Sequence, residues 1–275
     1  MGSGSAMTTP QSQMVPVTPR TAPRLGLMAY TVLPQLLADL PGALARTAEI
    51  GFSGMETYGL LEHYPAARLR SELARAGLEL TSSHTPFPAG ADADRLLDES
   101  AELGAGTLVW SMEPEEFDSP ALILAGVERV NEAAQRSADR GMQIAYHNHS
   151  AEFSNVFDGR QAYDILLEAL DPRVVVELDM YWARRGGADP AEVAGRLGDR
   201  LRFVHLRDSR RESSGATVQV PIGEGDIDWR RALAANPAAV WHLIELDDLP
   251  GDPFDGARRS FEYLTAQRRS SEEVS

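Results

Sequence analysis

From Arg24 onward, short apolar runs alternate with longer stretches of helical period. The runs are Leu25–Tyr30, Gly54–Glu56, Leu78–His84, Thr107–Ser111, Met142–His147, Val174–Asp179, Leu201–His205 and Val240–Glu245. They are bounded by Gly, Pro, Asp or Arg, which reads as a series of buried strands. Between them lie predicted helices. The first has Pro41 near its start and apolar Leu44, Ala48 and Ile50 before a stop at Gly51. Others cover Ala66–Ala76, Ala91–Leu103, Pro120–Arg140 and Arg160–Leu170, the third of these capped by Asp118 or Ser119 and stopped by Gly141. Asp189-Pro190 opens a helix to about Leu197, Asp226 or Asp228 opens Trp229–Ala235, and Asp252-Pro253 opens a last helix to about Gln267.

Eight strand–helix units over this length predict a parallel sheet closed on itself, a single (β/α)8 TIM barrel spanning residues 24–267. An open doubly wound sheet usually carries a glycine fingerprint after its first strand. Here that strand leads into Thr31-Val32-Leu33-Pro34, and Gly104-Ala105-Gly106 precedes a strand instead of following one. Residues 1–23 are rich in Pro, Thr, Ser and Gln and are expected to be disordered, with MGSGSA reading as an expression scar before Met7. Residues 268–275 are expected to form a flexible tail.

The ends of the strands carry the chemistry. The last four runs finish on His147, Asp179, His205 and Glu245, and the second and third on Glu56 and His84. A barrel places the C-terminal ends of its strands on one face, where functional groups gather. Asp179, His205 and Glu245 form a mixed nitrogen and oxygen set suited to one divalent ion such as Mn, Zn, Co, Fe or Mg, with imidazole tilting the set away from pure Mg. Each alone could equally satisfy a rim hydrogen bond. In Tyr146-His147-Asn148-His149, strand alternation leaves open which imidazole faces the axis, and Glu152 competes as ligand or base. Glu177 shares the side of Asp179 and would need a cation or a supporting role.

Trp110 and Trp182 stand at the same rim as candidate walls for a sugar ring, or as core packing. Arg207 could grip a substrate oxygen or pair with Asp208. His63 and His242 read as incidental, His242 facing away from the axis. The long Ser209–Gly225 connection, with Gly223-Glu224-Gly225, reads as a lid or rim loop.

Composition narrows the setting. The 275 residues include 26 Lys+Arg against 41 Asp+Glu, a formal net charge of −15, which disfavours nucleic acid and anionic membrane partners. With no Cys, disulfides and thiolate ligands are excluded. No apolar run is long enough to span a bilayer and no signal-peptide pattern begins the chain, so a cytoplasmic protein is expected.

Five stretches together carry a resemblance. They are Tyr146-His147-Asn148-His149 with Glu152-Phe153; Glu177-Leu178-Asp179-Met180-Tyr181-Trp182; Gly186-Gly187 with Asp189-Pro190; Val204-His205-Leu206-Arg207-Asp208; and Gly223 through Trp229. In order and spacing they resemble the sugar phosphate isomerase/epimerase family of the xylose isomerase-like TIM barrel superfamily, which also holds endonuclease IV-type proteins. The resemblance covers Leu25 to Leu264. It implies one divalent metal held at the ends of the fifth to eighth strands, here His147, Asp179, His205 and Glu245. It also implies a small carbohydrate substrate and a homodimer. Two departures stand out: His147 replaces a Glu of the ketose 3-epimerase branch, and Arg207 replaces a usual Lys.

The expected function is therefore a metal-dependent isomerase or epimerase acting on a sugar or keto-sugar through an enediolate. Glu245 would be one base, with His147, His149 or Glu152 opposite, and Glu56, His84, Trp110, Trp182 and Arg207 would contact substrate. The alternative is a lyase or dehydratase of a keto-polyol or keto-glycoside. An endonuclease IV-like phosphodiesterase and a non-catalytic sugar-binding barrel rank lower.

Overall fold

The structure, a computed structural model, describes residues 23–214, 216–235, 239–247 and 249–272. The segment expected to be disordered lies outside them up to Ala22, as do the last three residues of the tail. The strands are β1 (Arg24–Met28), β2 (Gly54–Tyr58), β3 (Glu79–His84), β4 (Thr107–Trp110), β5 (Gln143–His147), β6 (Val175–Asp179), β7 (Leu201–Leu206) and β8 (Trp241–Ile244). They form one closed parallel barrel in chain order, with β8 returning to β1. Helices fill the crossovers, so the apolar faces of strands and helices bury one another around the barrel wall.

Several boundaries have local causes. Helices Leu40–Ile50 and Ala66–Ala76 stop at Gly51 and Gly77, whose φ of 115° and 73° lie in the left-handed region that glycine adopts without strain. Of the alternative caps, Ser119 accepts from Leu122 N, and Asp228 accepts from Arg231 N. The helix expected from Arg160 begins instead at Ala162. Asp158 and Gly159, with φ of 50° and 81°, form a tight turn that pairs Val156–Phe157 with Arg160–Gln161 as a small hairpin. The last helix runs through Glu272, past the Gln267 expected from sequence. Among the described residues, no helix is long and apolar enough to cross a membrane.

Inside the barrel, Val109, Ala145, Phe203, Trp241 and Leu243 form a separate apolar cluster on the axis. It is the floor on which the polar residues rest. Trp241 fits because Gly54 on β2 has no side chain: a Cβ there would lie 2.8 Å from the Trp241 ring and 2.9 Å from the Glu79 carbonyl oxygen. On the opposite face of β8, His242 is buried against the helix layer and Arg268 approaches its Nδ1 at 3.1 Å. Burial, with the Arg268 charge, pushes its imidazole down to about 3.

Two outcomes follow for stability. Gly54→Ala overpacks the floor and is expected to lower stability by about 1–3 kcal/mol in urea titration, whereas an unchanged midpoint would show that the floor yields freely. The unfolded chain protonates His242 below about 6.5 while the folded chain resists until about 3, so this group withdraws stability as pH falls through that window. The loss reaches about 2 kcal/mol by pH 5, and His242→Gln should flatten that part of the stability–pH curve.

Candidate active site at the barrel mouth

Strand alternation sets which side chains enter the barrel. Trp241 and Leu243 point to the axis, so Glu245, two residues on, does too, while His242 and Ile244 face outward. In the same way Ala145 leads to His147, and Phe203 to His205. Pairing register places His147 opposite Glu177, and Asp179 opposite His205. Above the apolar floor the barrel is therefore charged. Glu56, Glu177, Asp179 and His205 are fully buried, and His147, Arg207 and Glu245 nearly so.

The polar groups form two tiers joined by His205. In the upper tier, His205 Nδ1 lies 2.5 Å from Glu245 Oε2. Arg207 Nη2 also lies 2.5 Å from Glu245 Oε2, and its Nε is 2.9 Å from Asp179 Oδ2. In the lower tier, His205 Nε2 lies 2.7 Å from Glu56 Oε1, and His84 Nε2 and His147 Nδ1 lie 3.1 and 3.0 Å from Glu177 Oε1. Burial alone would raise Glu245, but the Arg207 and His205 charges outweigh it and hold the carboxyl at about 2. Burial likewise opposes ionisation of Glu56, yet His84 and His205 keep it well below the usual carboxylate range. Burial and the neighbouring Glu56 charge push Glu177 up to about 7. His84 is raised to about 9: burial opposes its charge, but Glu56 and Glu177 overcome it. His147, buried among other positive groups, is held well below its ordinary value.

A cavity of about 900 Å³ opens onto these tiers. His84, His147, His149, Arg207 and Glu245 line it, with walls from Tyr30, Tyr58, Trp110 and Trp182. Phe87 adds to one wall, its ring centroid 4.0 Å from that of Trp110, a contact that sequence reading missed because Phe87 lies in a Pro-flanked loop without periodicity. Both tryptophans expected at the rim are there.

Three expectations need correction. Glu56, read as a substrate contact, is fully buried beneath the cavity and does not line it; Ser82 Oγ donates to its second oxygen. Glu152, read as a base, is turned away from the cavity. It accepts from Tyr146 Oη at 2.9 Å and His149 N at 3.0 Å, and burial raises its carboxyl to about 7. Arg207 lines the cavity as expected and also pairs with Asp179, Glu245 and Asp247. His147 joins the lower tier through Glu177 instead of completing the upper set.

His149 behaves differently. Its ring lines the cavity beside Trp182, at 5.8 Å between centroids, and among the described residues no protein group hydrogen-bonds its ring nitrogens. Burial, together with the Arg207 charge, lowers it to about 4.

Within the Ser209–Gly225 connection, the described residues on either side of position 215 pair with one another. Asp208–Arg211 and Thr217–Val220 pair as an antiparallel hairpin. Asp208 does not bind Arg207. Its buried carboxylate accepts from Gly223 N at 2.9 Å, Gly225 N at 3.2 Å and Trp229 Nε1 at 2.7 Å, tying the returning strand to the rim.

A model of the family described as xylose isomerase-like TIM barrel matches residues 44–267. The chain belongs to this family. Among curated relatives, an inosose dehydratase of Geobacillus kaustophilus (strain HTA426) is 29% identical over 231 residues, covering 71% of each chain. Further relatives of that name are matched over about half of their length. Among solved structures, a sugar phosphate isomerase/epimerase from Parabacteroides distasonis ATCC 8503 superposes with a TM-score of 0.76 at 27% identity, covering 91% of this chain and 96% of that one. A xylose isomerase-like TIM barrel protein from Mycobacterium smegmatis in complex with magnesium shares the fold, with a TM-score of 0.62 at 17% identity over 84% of this chain and 88% of that one.

The upper tier fits a divalent ion. Ligand atoms of Asp179, His205 and Glu245 lie within 4.8 Å of one another. Asp179 Oδ2 is buried and, although close to Arg207, is not aligned for a hydrogen bond, so it retains an unused lone pair. The set has the mixed donor chemistry of a transition-metal or magnesium site.

The rim anchor is directly testable. Asp208→Ala leaves buried donors unpaired and is expected to lower stability by about 3 kcal/mol. It should also speed tryptic cleavage at Arg210 and Arg211. Unchanged stability and cleavage would show that the hairpin does not depend on Asp208.

Proposed function

We propose that the chain is a metal-dependent lyase that removes water from a keto-polyol or keto-sugar, the cyclic inososes being the first substrates to test. The observation that carries this reading is His149. Among the described ionisable groups facing the cavity floor, half-buried His149 is the one whose ring no described protein group hydrogen-bonds. Glu245 is engaged by Arg207 and His205, which suits a ligand better than a base. Epimerisation needs bases on both faces of the substrate, and Glu152, which might have supplied the second carboxylate, is turned away. Elimination needs a single group that takes a proton and then delivers one. The curated relatives named inosose dehydratase support the same outcome.

In this mechanism the substrate ring lies between Trp110 and Trp182, with its ketone toward Glu245, which lines the cavity, and Asp179 and His205 behind it. Asp179, His205 and Glu245 would hold a divalent ion there, which would supply Lewis-acid polarisation of the ketone. His149 removes the proton from the carbon beside the ketone. The imidazolium so formed donates that proton to the β-hydroxyl, which leaves as water, and the ring returns to its neutral form. Arg207 fixes Asp179 and Glu245 in place, so they need not reorganise as charge develops.

An isomerase or epimerase remains the second reading, favoured by the Parabacteroides distasonis structure and by the placement of Glu245 and His149 around one cavity. The product separates the two. With an inosose, a product lighter by one water and carrying the absorbance of a conjugated ketone is expected. His149→Gln should lower turnover about 10²- to 10⁴-fold without changing metal content. Chelation should abolish activity and a divalent ion restore it. A product of unchanged mass would establish isomerisation, and full activity in His149→Gln would remove the basis of the proposal.

A further inference from the structure

The lower tier is not used by the elimination just described, and its geometry is unusual for a network of hydrogen bonds. His84 Nε2 lies 3.1 Å from both Glu56 Oε1 and Glu177 Oε1. His205 Nε2 lies 2.7 Å from Glu56 Oε1 and 3.1 Å from Glu177 Oε1. Two nitrogens and two oxygens thus alternate around a closed circuit, and His147 Nδ1 meets the same Glu177 oxygen at 3.0 Å. We propose that His84, His147, Glu177 and His205, with Glu56 closing the ring, bind a second divalent transition-metal ion beneath the one at Asp179 and Glu245.

The donor count argues for an ion. An imidazole nitrogen carries at most one hydrogen, yet His84 Nε2 and His205 Nε2 each face two carboxylate oxygens. Glu177 Oε1 is approached by three nitrogens, while its twin Oε2 is buried with no hydrogen-bond partner among the described residues. That imbalance is the pattern of a carboxylate turned to offer one oxygen to a common centre. Neighbouring donors are 2.7–3.1 Å apart, which matches the edge of about 3.0 Å in an octahedron with bonds of about 2.1 Å.

The backbone has been adjusted at these positions. The β2–β3 register shifts between Met55 and Thr57, at Glu56, and the β6–β7 register shifts between Val176 and Glu177. Bulges re-aim side chains at functional rims, and here each of the two lower carboxylates sits at one. Ser82 orients the second oxygen of Glu56, as outer groups do around metal ligands.

Charge closes with both ions present. His205 offers Nε2 to the lower ring and Nδ1 to the upper set. With both filled it has released its ring proton to solvent and bridges the ions as imidazolate. Four buried carboxylates and this imidazolate then balance two divalent ions and Arg207. Three imidazoles favour zinc, manganese, cobalt or iron over calcium.

The proposal shares His205 with the reading of the upper site, so the test separates them. The chain is stripped with chelator, reconstituted with manganese or zinc, and analysed for bound metal, with circular dichroism as a check on folding. Two equivalents are expected in the wild type, and one each in His84→Gln, Glu177→Gln and Asp179→Ala. Crystals grown with manganese should show two anomalous peaks, one between His84 and His205, a readout that needs no variant. One equivalent in the wild type, retained in His84→Gln and Glu177→Gln, overturns the proposal. Metal retained in Asp179→Ala but lost in Glu177→Gln upholds the lower site and removes the metal from the upper one.

Discussion

Glu56, Glu177, Asp179 and Glu245 stand inside a barrel whose floor is Trp241, Phe203 and Leu243. Four carboxylates in so little solvent must be neutralised from within, because an unpaired buried charge is strongly destabilising. Arg207 and the imidazoles of His84 and His205 do this in the protein alone, His84 between two carboxylates and His205 and Arg207 among three each. The constraint explains why Arg207, at the cavity wall, pairs with three carboxylates. It also explains why Glu245 is strongly acidic while Glu177, which shares its cations with Glu56, is not.

The same constraint reaches the rim. Arg207 and Asp208 are adjacent in sequence, but strand alternation sends them to opposite sides. Arg207 enters the barrel and binds the upper carboxylates; Asp208 turns outward and gathers the loop from Gly223 to Trp229. One dipeptide therefore fixes both the charge balance of the site and the hairpin beside it. The cavity above is left with aromatic walls and His149, the part of the site free to meet a ligand.

Much of this was legible in sequence because it follows from period. Eight apolar runs, each followed by a helical stretch, prescribe the barrel, and the C-terminal residue of each run prescribes which polar groups converge. Asp179, His205 and Glu245 were found this way, and so was the outward-facing His242. What escaped depends on details of less than one residue in register. Alternation put Glu177 beside Asp179 and strand ends put Glu56 on the same face, but the bulges at both, and the depth of Glu56 below the cavity, are not visible in the pattern. Glu152 lies beyond the strand on a short helical turn, Ala151–Ser154, whose direction is set by the Tyr146 hydroxyl it accepts from. The Asp158-Gly159 hairpin escaped because the helical period that follows it extends back to Arg160.

The two departures from the epimerase pattern are linked through this geometry. A carboxylate in place of His147, whose Nδ1 lies 3.0 Å from Glu177 Oε1, would add a negative charge beside Glu177 in a barrel that already holds four buried carboxylates. An imidazole there adds none and lets Glu177 remain. Arg207, in turn, spans Asp179, Glu245 and Asp247 with a planar fork that a Lys ammonium does not possess. The β5 side thus gives His147 to the lower ring of donors, while the imidazole that lines the cavity there is His149, lowered to about 4 by burial and the Arg207 charge. On the reading proposed above, a single such group serves elimination more readily than stereochemical inversion, which needs a proton taken from one face and returned to the other.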